Sequence, residues 1–121
     1  KADIPEDSQY RFAAGLADEM GNAPAVILVY SNPTGVAASS TFPGVQNLLL
    51  SARALGLGTV LTTLHADVME QVNTMFGVPT EMVFHCCIPI GYPRGNFGPT
   101  SRLPTSATTS WDSWGNPPPW K

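Results

Sequence analysis

The stretch whose reading decides the fold is FPGVQNLLLSARALGLGTVLTTL, residues 42–64. Its first half places Val45, Leu48, Leu49, Ala52 and Leu55 at helical spacing, so one face of a helix is apolar and must be covered. Thr41 is placed to cap that helix, with Pro43 in the first turn, where a missing N–H is tolerated. Gly56 supplies the residue that ends it. TVLTT, residues 59–63, then reads as a strand, because valine and threonine suit a pleated surface. A helix joined to a strand through Gly-Leu-Gly is the central unit.

Upstream of this unit, Tyr10, Ala13, Ala14, Ala17 and Met20 recur at helical spacing within residues 7–20, and Gly21, Asn22 and Pro24 supply the stop. AVILVY, residues 25–30, is short, β-branched and uninterrupted, as expected of a strand buried on both faces. Downstream, Asp67 can cap a helix with Val68, Val72, Met75 and Phe76 turned inward, closed by Gly77 and Pro79. MVFHCCIPI, residues 82–90, is a further buried strand; its Pro89 cannot donate to a ladder and is expected at the strand end or on a sheet edge. The last stretch, residues 103–121, holds three tryptophans and four prolines without periodicity. It cannot build a core of its own and is expected to lie as an arm over another surface.

The bulk properties set limits on the partners. In 121 residues there is room for one core and not for two. Charged residues make up 12% of the chain, against a usual share of about 25%. An uncharged or chain-covered surface follows. The net charge of −3 lacks the basic excess that binding to nucleic acid or anionic lipid requires. No apolar run reaches the roughly 20 residues of a membrane span, and the polar opening KADIPEDSQ lacks a signal-peptide core. Cys86 and Cys87 are strand neighbours whose side chains point to opposite faces, which predicts free thiols and a reducing, cytoplasmic location. The start at Lys1 suits part of a longer chain.

The ordered motifs of this sequence resemble those of the nitroreductase family. The helix and strand of residues 42–64 are similar to the family's central segment. FGVPTEM (76–82), IPIGYPRG (88–95), SRLP (101–104) and SWDSWG (110–115) follow in the family's order. The resemblance runs from about Tyr10 onward and implies an α+β, nitroreductase-like fold. That fold has a mostly antiparallel central sheet flanked by helices, incomplete here and carrying an extended C-terminal arm. Residues 1–104 are then the C-terminal portion of the domain, and residues 105–121 an arm packing on a partner subunit. The family's N-terminal half has no counterpart in this sequence, including the arginine-rich segment that grips the FMN phosphate.

The resemblance also implies a function and a site. The intact protein would be an FMN-dependent oxidoreductase taking hydride from NAD(P)H and passing it to a nitroaromatic, quinone or related small-molecule acceptor. Its partner would be a second copy in a homodimer, or a complementing N-terminal half of the same subunit. Arg102 falls where the family's arginine pairs with the FMN phosphate, although a solvated loop arginine is the plain alternative. Thr62 and Thr63 fall at the strand end that places donors near the flavin ring, although threonine simply favours strands. Gly58 permits close backbone approach to a planar ring, whereas Gly56 reads as a helix end only. No catalytic side chain is singled out. His65 follows the threonines and could donate a proton to a reduced acceptor, but the helix-entry reading is the stronger one. His85, Cys86 and Cys87 are adjacent on one strand and cannot converge on one metal ion. Arg53 reads as a solvated or ion-paired helix residue, and the tryptophans as anchors of the arm. Two other readings stay open: a non-catalytic remnant or interaction module, and a flavin enzyme of the same fold acting in dehalogenation or enone reduction.

Overall fold

The computed structural model describes residues 10–63 and 66–120. In chain order it contains α1 (Tyr10–Glu19), β1 (Ala25–Ser31), α2 (Ala37–Ala54), β2 (Gly58–Thr59), α3 (Met69–Phe76) and β3 (Val83–Gly91). Short 3-10 turns cover Met20–Asn22, Ala66–Val68 and Thr105–Ala107. The expected start of α1 at residue 7 lies outside the described residues, as does His65. The strands form one antiparallel sheet in the order β1-β3-β2, so the last strand in sequence is the central one.

The core lies between α2 and one face of this sheet. Val45 of α2 and Cys86 and Ile88 of β3 are buried, with Ile27, Val29, Leu48, Leu49 and Leu61 packed around them. Ile27 pairs with Ile88 and Val29 with Cys86, so these side chains share the face that α2 covers. Ala52 is buried as its spacing predicts, whereas Leu55 is 76% exposed at the helix end. β1 is an edge strand with half-buried and exposed positions, not a strand covered on both faces. Its uninterrupted apolar run reflects β propensity more than two-sided burial.

Three local expectations change for physical reasons. α2 begins at Ala37, a turn earlier than the Thr41 cap predicts, and Pro43 stands inside it. The added turn consists of small residues, Ala37 to Ser40, and Ser39 Oγ donates to Val36 O at 2.9 Å. In α3, Met69 is buried and Val72 half-buried, but Met75 and Phe76 are exposed. The stripe holds its helical spacing, but only its first turn meets other described residues. Pro89 sits inside the central strand, not at an edge. Gly58 faces Gly91, Thr59 faces Ile90 and Thr62 faces Cys87 in one continuous register, which brings Val60 opposite Pro89. Main-chain groups of alternate strand residues point the same way, so the Pro89 nitrogen points at β2, as the Cys87 N–H does. The ladder lapses there, and the expected strand of residues 59–63 shrinks to Gly58–Thr59 plus a bridge at Thr62.

Candidate functional site

β2 forms one edge of the sheet; Gly58 lies in it, and Thr62 and Thr63 follow it in the chain. Thr62 is buried, and both its main-chain groups are taken by Cys87: its N–H donates at 2.9 Å and its carbonyl accepts at 3.0 Å. Alternation then turns the N–H of Thr63 away from the sheet. Thr63 is exposed. Of the two threonines, Thr63 is therefore the one whose main chain is open to a ligand. Arg102 is exposed on an irregular stretch and makes no ion pair among the described residues, which leaves its guanidinium available to an anion.

Gly58 lies at the other end of β2, four residues before Thr62, beside an open cavity of about 620 Å³. It is lined by the sheet end at Gly58, Ile90 and Gly91 and by Met20, Tyr92 and Phe97, with Glu19 and Arg94 also in the lining. Gly91 is required there, since a Cβ would stand 2.9 Å from Pro24 Cδ. Thr62, Thr63 and Arg102 do not line this cavity. The structure thus separates Gly58 from the two threonines instead of joining them. Arg53 is exposed, and its guanidinium also stacks on the Phe97 ring at 3.8 Å, which ties the segment after β3 to α2.

Sequence reading passed over one cluster. The β1/β3 register shifts between Val29 and Tyr30, so Val29 faces Cys86 while Tyr30 faces Phe84, and His85 is the extra residue of a bulge. The bulge turns His85 toward Ser31, whose Oγ lies 2.8 Å from Nε2, and toward Phe42 of α2, edge to face at 5.8 Å. Nothing in the composition of residues 82–90 signals a bulge. On the other face, Tyr30 Oη donates to Asn73 Oδ1 at 2.7 Å. Burial and then the neighbouring Cys87 push the Tyr30 hydroxyl pKa up. Burial pushes both cysteine thiols up, and for Cys87 the neighbouring Cys86 adds to it. They stay protonated at neutral pH and are poor nucleophiles. Among the described residues no group of histidine, cysteine and carboxylate side chains could hold a metal ion.

A small antiparallel sheet backed by one long helix defines a partial α+β fold. The chain belongs to the Nitroreductase family, whose sequence profile matches residues 1–92. It is 40% identical over 55 residues to a "Putative NADH dehydrogenase/NAD(P)H nitroreductase" of Methanothermobacter thermautotrophicus, a match covering 44% of this chain and 29% of that protein. Crystal structures of proteins of the same description are similar to it at a TM-score of 0.71. One, from Bacteroides thetaiotaomicron, is 25% identical, and the match covers 81% of this chain and 60% of that one. The other, from Parabacteroides distasonis, is 24% identical, with 81% and 61% covered. An oxidized iodotyrosine deiodinase bound to FMN and 3-iodo-L-tyrosine shares the fold at a TM-score of 0.59 and 24% identity, over 82% of this chain and 58% of that one. The chain therefore spans about 60% of the length of these solved relatives and under a third of the curated one. Among the described residues no helix is long and apolar enough to cross a membrane.

Proposed function

We propose that this chain forms part of an FMN-dependent oxidoreductase subunit, in which hydride passes from NAD(P)H through flavin to a nitroaromatic, quinone or related acceptor. The observation that carries the reading is the open main-chain edge at Thr63 in a chain of the Nitroreductase family. The residues present fit the group. The outward N–H of Thr63 offers a donor to a heteroatom of the flavin ring, where it stabilises negative charge in the reduced state. The exposed guanidinium of Arg102 offers a two-pronged contact to a phosphate. Thr62, locked to Cys87, fixes the position of Thr63. Gly58 keeps the entry to β2 free of a side chain. FMN, when bound, supplies acceptance and donation of hydride, while the protein binds, orients and tunes it.

The remainder of the site comes from a second copy or from a complementing N-terminal half, with the arm of residues 105–121 laid on that partner. The test is flavin retention by the complete protein, followed by NADH or NADPH added without oxygen. A yellow protein that bleaches with reduced nicotinamide and recovers its colour with a nitroaromatic or quinone is the expected result. No bound flavin in the complete protein overturns the reading and leaves a non-catalytic module. The shared fold of the deiodinase and its bound 3-iodo-L-tyrosine supports one alternative acceptor, a halogenated phenol, to be run beside the first two.

A further inference from the structure

The three tryptophans of the arm do two different jobs. Trp111 and Trp120 pack edge to face at 5.3 Å, and Pro118, between them in the chain, is buried. Within the loop they close, the Trp111 N–H donates to Asn116 O at 2.8 Å and the Ser113 N–H to Trp111 O at 2.7 Å. The Gly115 N–H donates to Ser110 Oγ at 3.0 Å, and Asn116 Nδ2 to Trp111 O at 3.0 Å. Asp112 and Gly115 hold left-handed backbone, at φ +66° and +82°, which for Asp112 carries strain. Trp114 sits between these tied positions and is almost fully exposed, so it contributes nothing to closing the loop. An indole presented this way is an anchor shaped before binding, with little chain entropy left to lose when it is buried.

The chain also carries a hollow that suits such an anchor. The open cavity of about 620 Å³ at the sheet end is lined largely by apolar residues, including two aromatic rings that water still reaches: Tyr92 is 84% exposed and Phe97 about half exposed. A second cavity, within the arm, is lined by Trp114 itself and cannot receive it. Charges match as well. Arg94 lines the sheet-end cavity, Asp112 stands two residues before Trp114, and neither makes an ion pair among the described residues. None of the described residues of the arm lines the sheet-end cavity of its own chain.

We propose, on the reading that the arm lies on a second copy, that Trp114 docks into the sheet-end cavity of that copy. Its indole lies against the partner's Tyr92 and the partner's Phe97, and Asp112 pairs with the partner's Arg94. Trp111 and Trp120 shape the anchor and stay off the partner. In a symmetric pair the contact is made twice.

The experiment uses the full chain carrying fluorinated tryptophan and follows it by fluorine NMR. The three tryptophans give three signals, and Trp114→Phe identifies the one at issue. With rising concentration the Trp114 signal is expected to shift saturably while those of Trp111 and Trp120 hold. Trp114→Ala is expected to weaken pairing about thirtyfold, as loss of a buried aromatic anchor does. Tyr92→Glu and Arg94→Glu each set a carboxylate before the incoming Asp112 and are expected to weaken docking about tenfold. These three positions are exposed, so the changes have little effect on folding. Labelled Tyr92→Glu chain is then mixed with unlabelled Trp114→Ala chain, which keeps its cavity. The Trp114 signal, unmoved by concentration in the first chain alone, is expected to shift as the second is added. A Trp114 signal that ignores concentration in the unaltered chain overturns the proposal, docking within one chain included. So does a signal that Tyr92→Glu leaves unchanged, or a mixture that shows no shift. Flavin retention by the complete protein is read separately, so failure of this contact and failure of the flavin reading are distinguished.

Discussion

Gly56 shows how a single residue position sets the helix–strand unit. Its φ of +77° lies in the left-handed region, and its N–H donates to Arg53 O at 3.1 Å while the Leu57 N–H donates to Ala52 O at 2.9 Å. Those two bonds satisfy the last carbonyls of α2 and turn the chain toward β2. A Cβ at Gly56 would meet nothing within 4 Å, so alanine there pays only for backbone strain. Gly44, inside α2, is equally open but has ordinary helical backbone. The same substitution therefore has opposite signs at the two sites. Gly56→Ala is expected to destabilise by about 1–2 kcal/mol, and Gly44→Ala to stabilise by about 0.5–1 kcal/mol. Urea unfolding of the two variants checks this; a shift of both midpoints in one direction contradicts the account.

Among the elements, β2 is the one whose length the sequence misjudges. Residues 59–63 carry a strand signal and hold strand register from Gly58 to Thr62, yet Pro89 across the pair removes one N–H and the ladder lapses at Val60 and Leu61. Pro89→Val restores that donor. The amide of residue 89 should then be protected from hydrogen exchange by a bond to Val60 O, with Val60 and Leu61 joining β2. Net stability should change by no more than about 1 kcal/mol, because the gained hydrogen bond is offset by the wider conformational freedom of the unfolded chain. Rapid exchange at residue 89 would mean that β2 is interrupted for another reason. The elements themselves were legible because their period and stop signals are local: β1 and β3 appear where the apolar runs place them, and α2 does so apart from its added first turn. What was not legible depends on partners across the sheet. The central place of β3, the edge exposure of β1 and the bulge at His85 follow from strand order and register, which no window of residues encodes. The same holds for the site. Thr62 and Thr63 are equivalent in sequence, and pairing with Cys87 alone makes one buried and the other open.

At the scale of the molecule, the surface is too large for the mass. The chain exposes 9649 Å² at 12.9 kDa, whereas a compact monomer of that mass exposes about 6,300 Å². Part of the excess is the C-terminal arm, which closes on itself: the Trp111 N–H donates to Asn116 O at 2.8 Å, and Trp111 packs edge to face on Trp120 at 5.3 Å. That closure leaves Trp114 99% exposed. Exposed apolar side chains add to it, including Leu50 and Leu55 on α2 and Met75 and Phe76 on α3. With charged residues at 12% of the chain, little charge repulsion opposes contact between such surfaces. The isolated chain is therefore expected to self-associate, with a sedimentation coefficient that rises with concentration above the value for 12.9 kDa. Leu50→Lys combined with Leu55→Lys, both at exposed positions and so of small effect on folding, is expected to shift the chain toward monomer and to leave unchanged the urea midpoint measured at concentrations where the parent is also monomeric. A monomer at all concentrations would show that these side chains tolerate water. Association unchanged by the two lysines would move the contact off the α2 surface, to α3 or to the arm that carries Trp114.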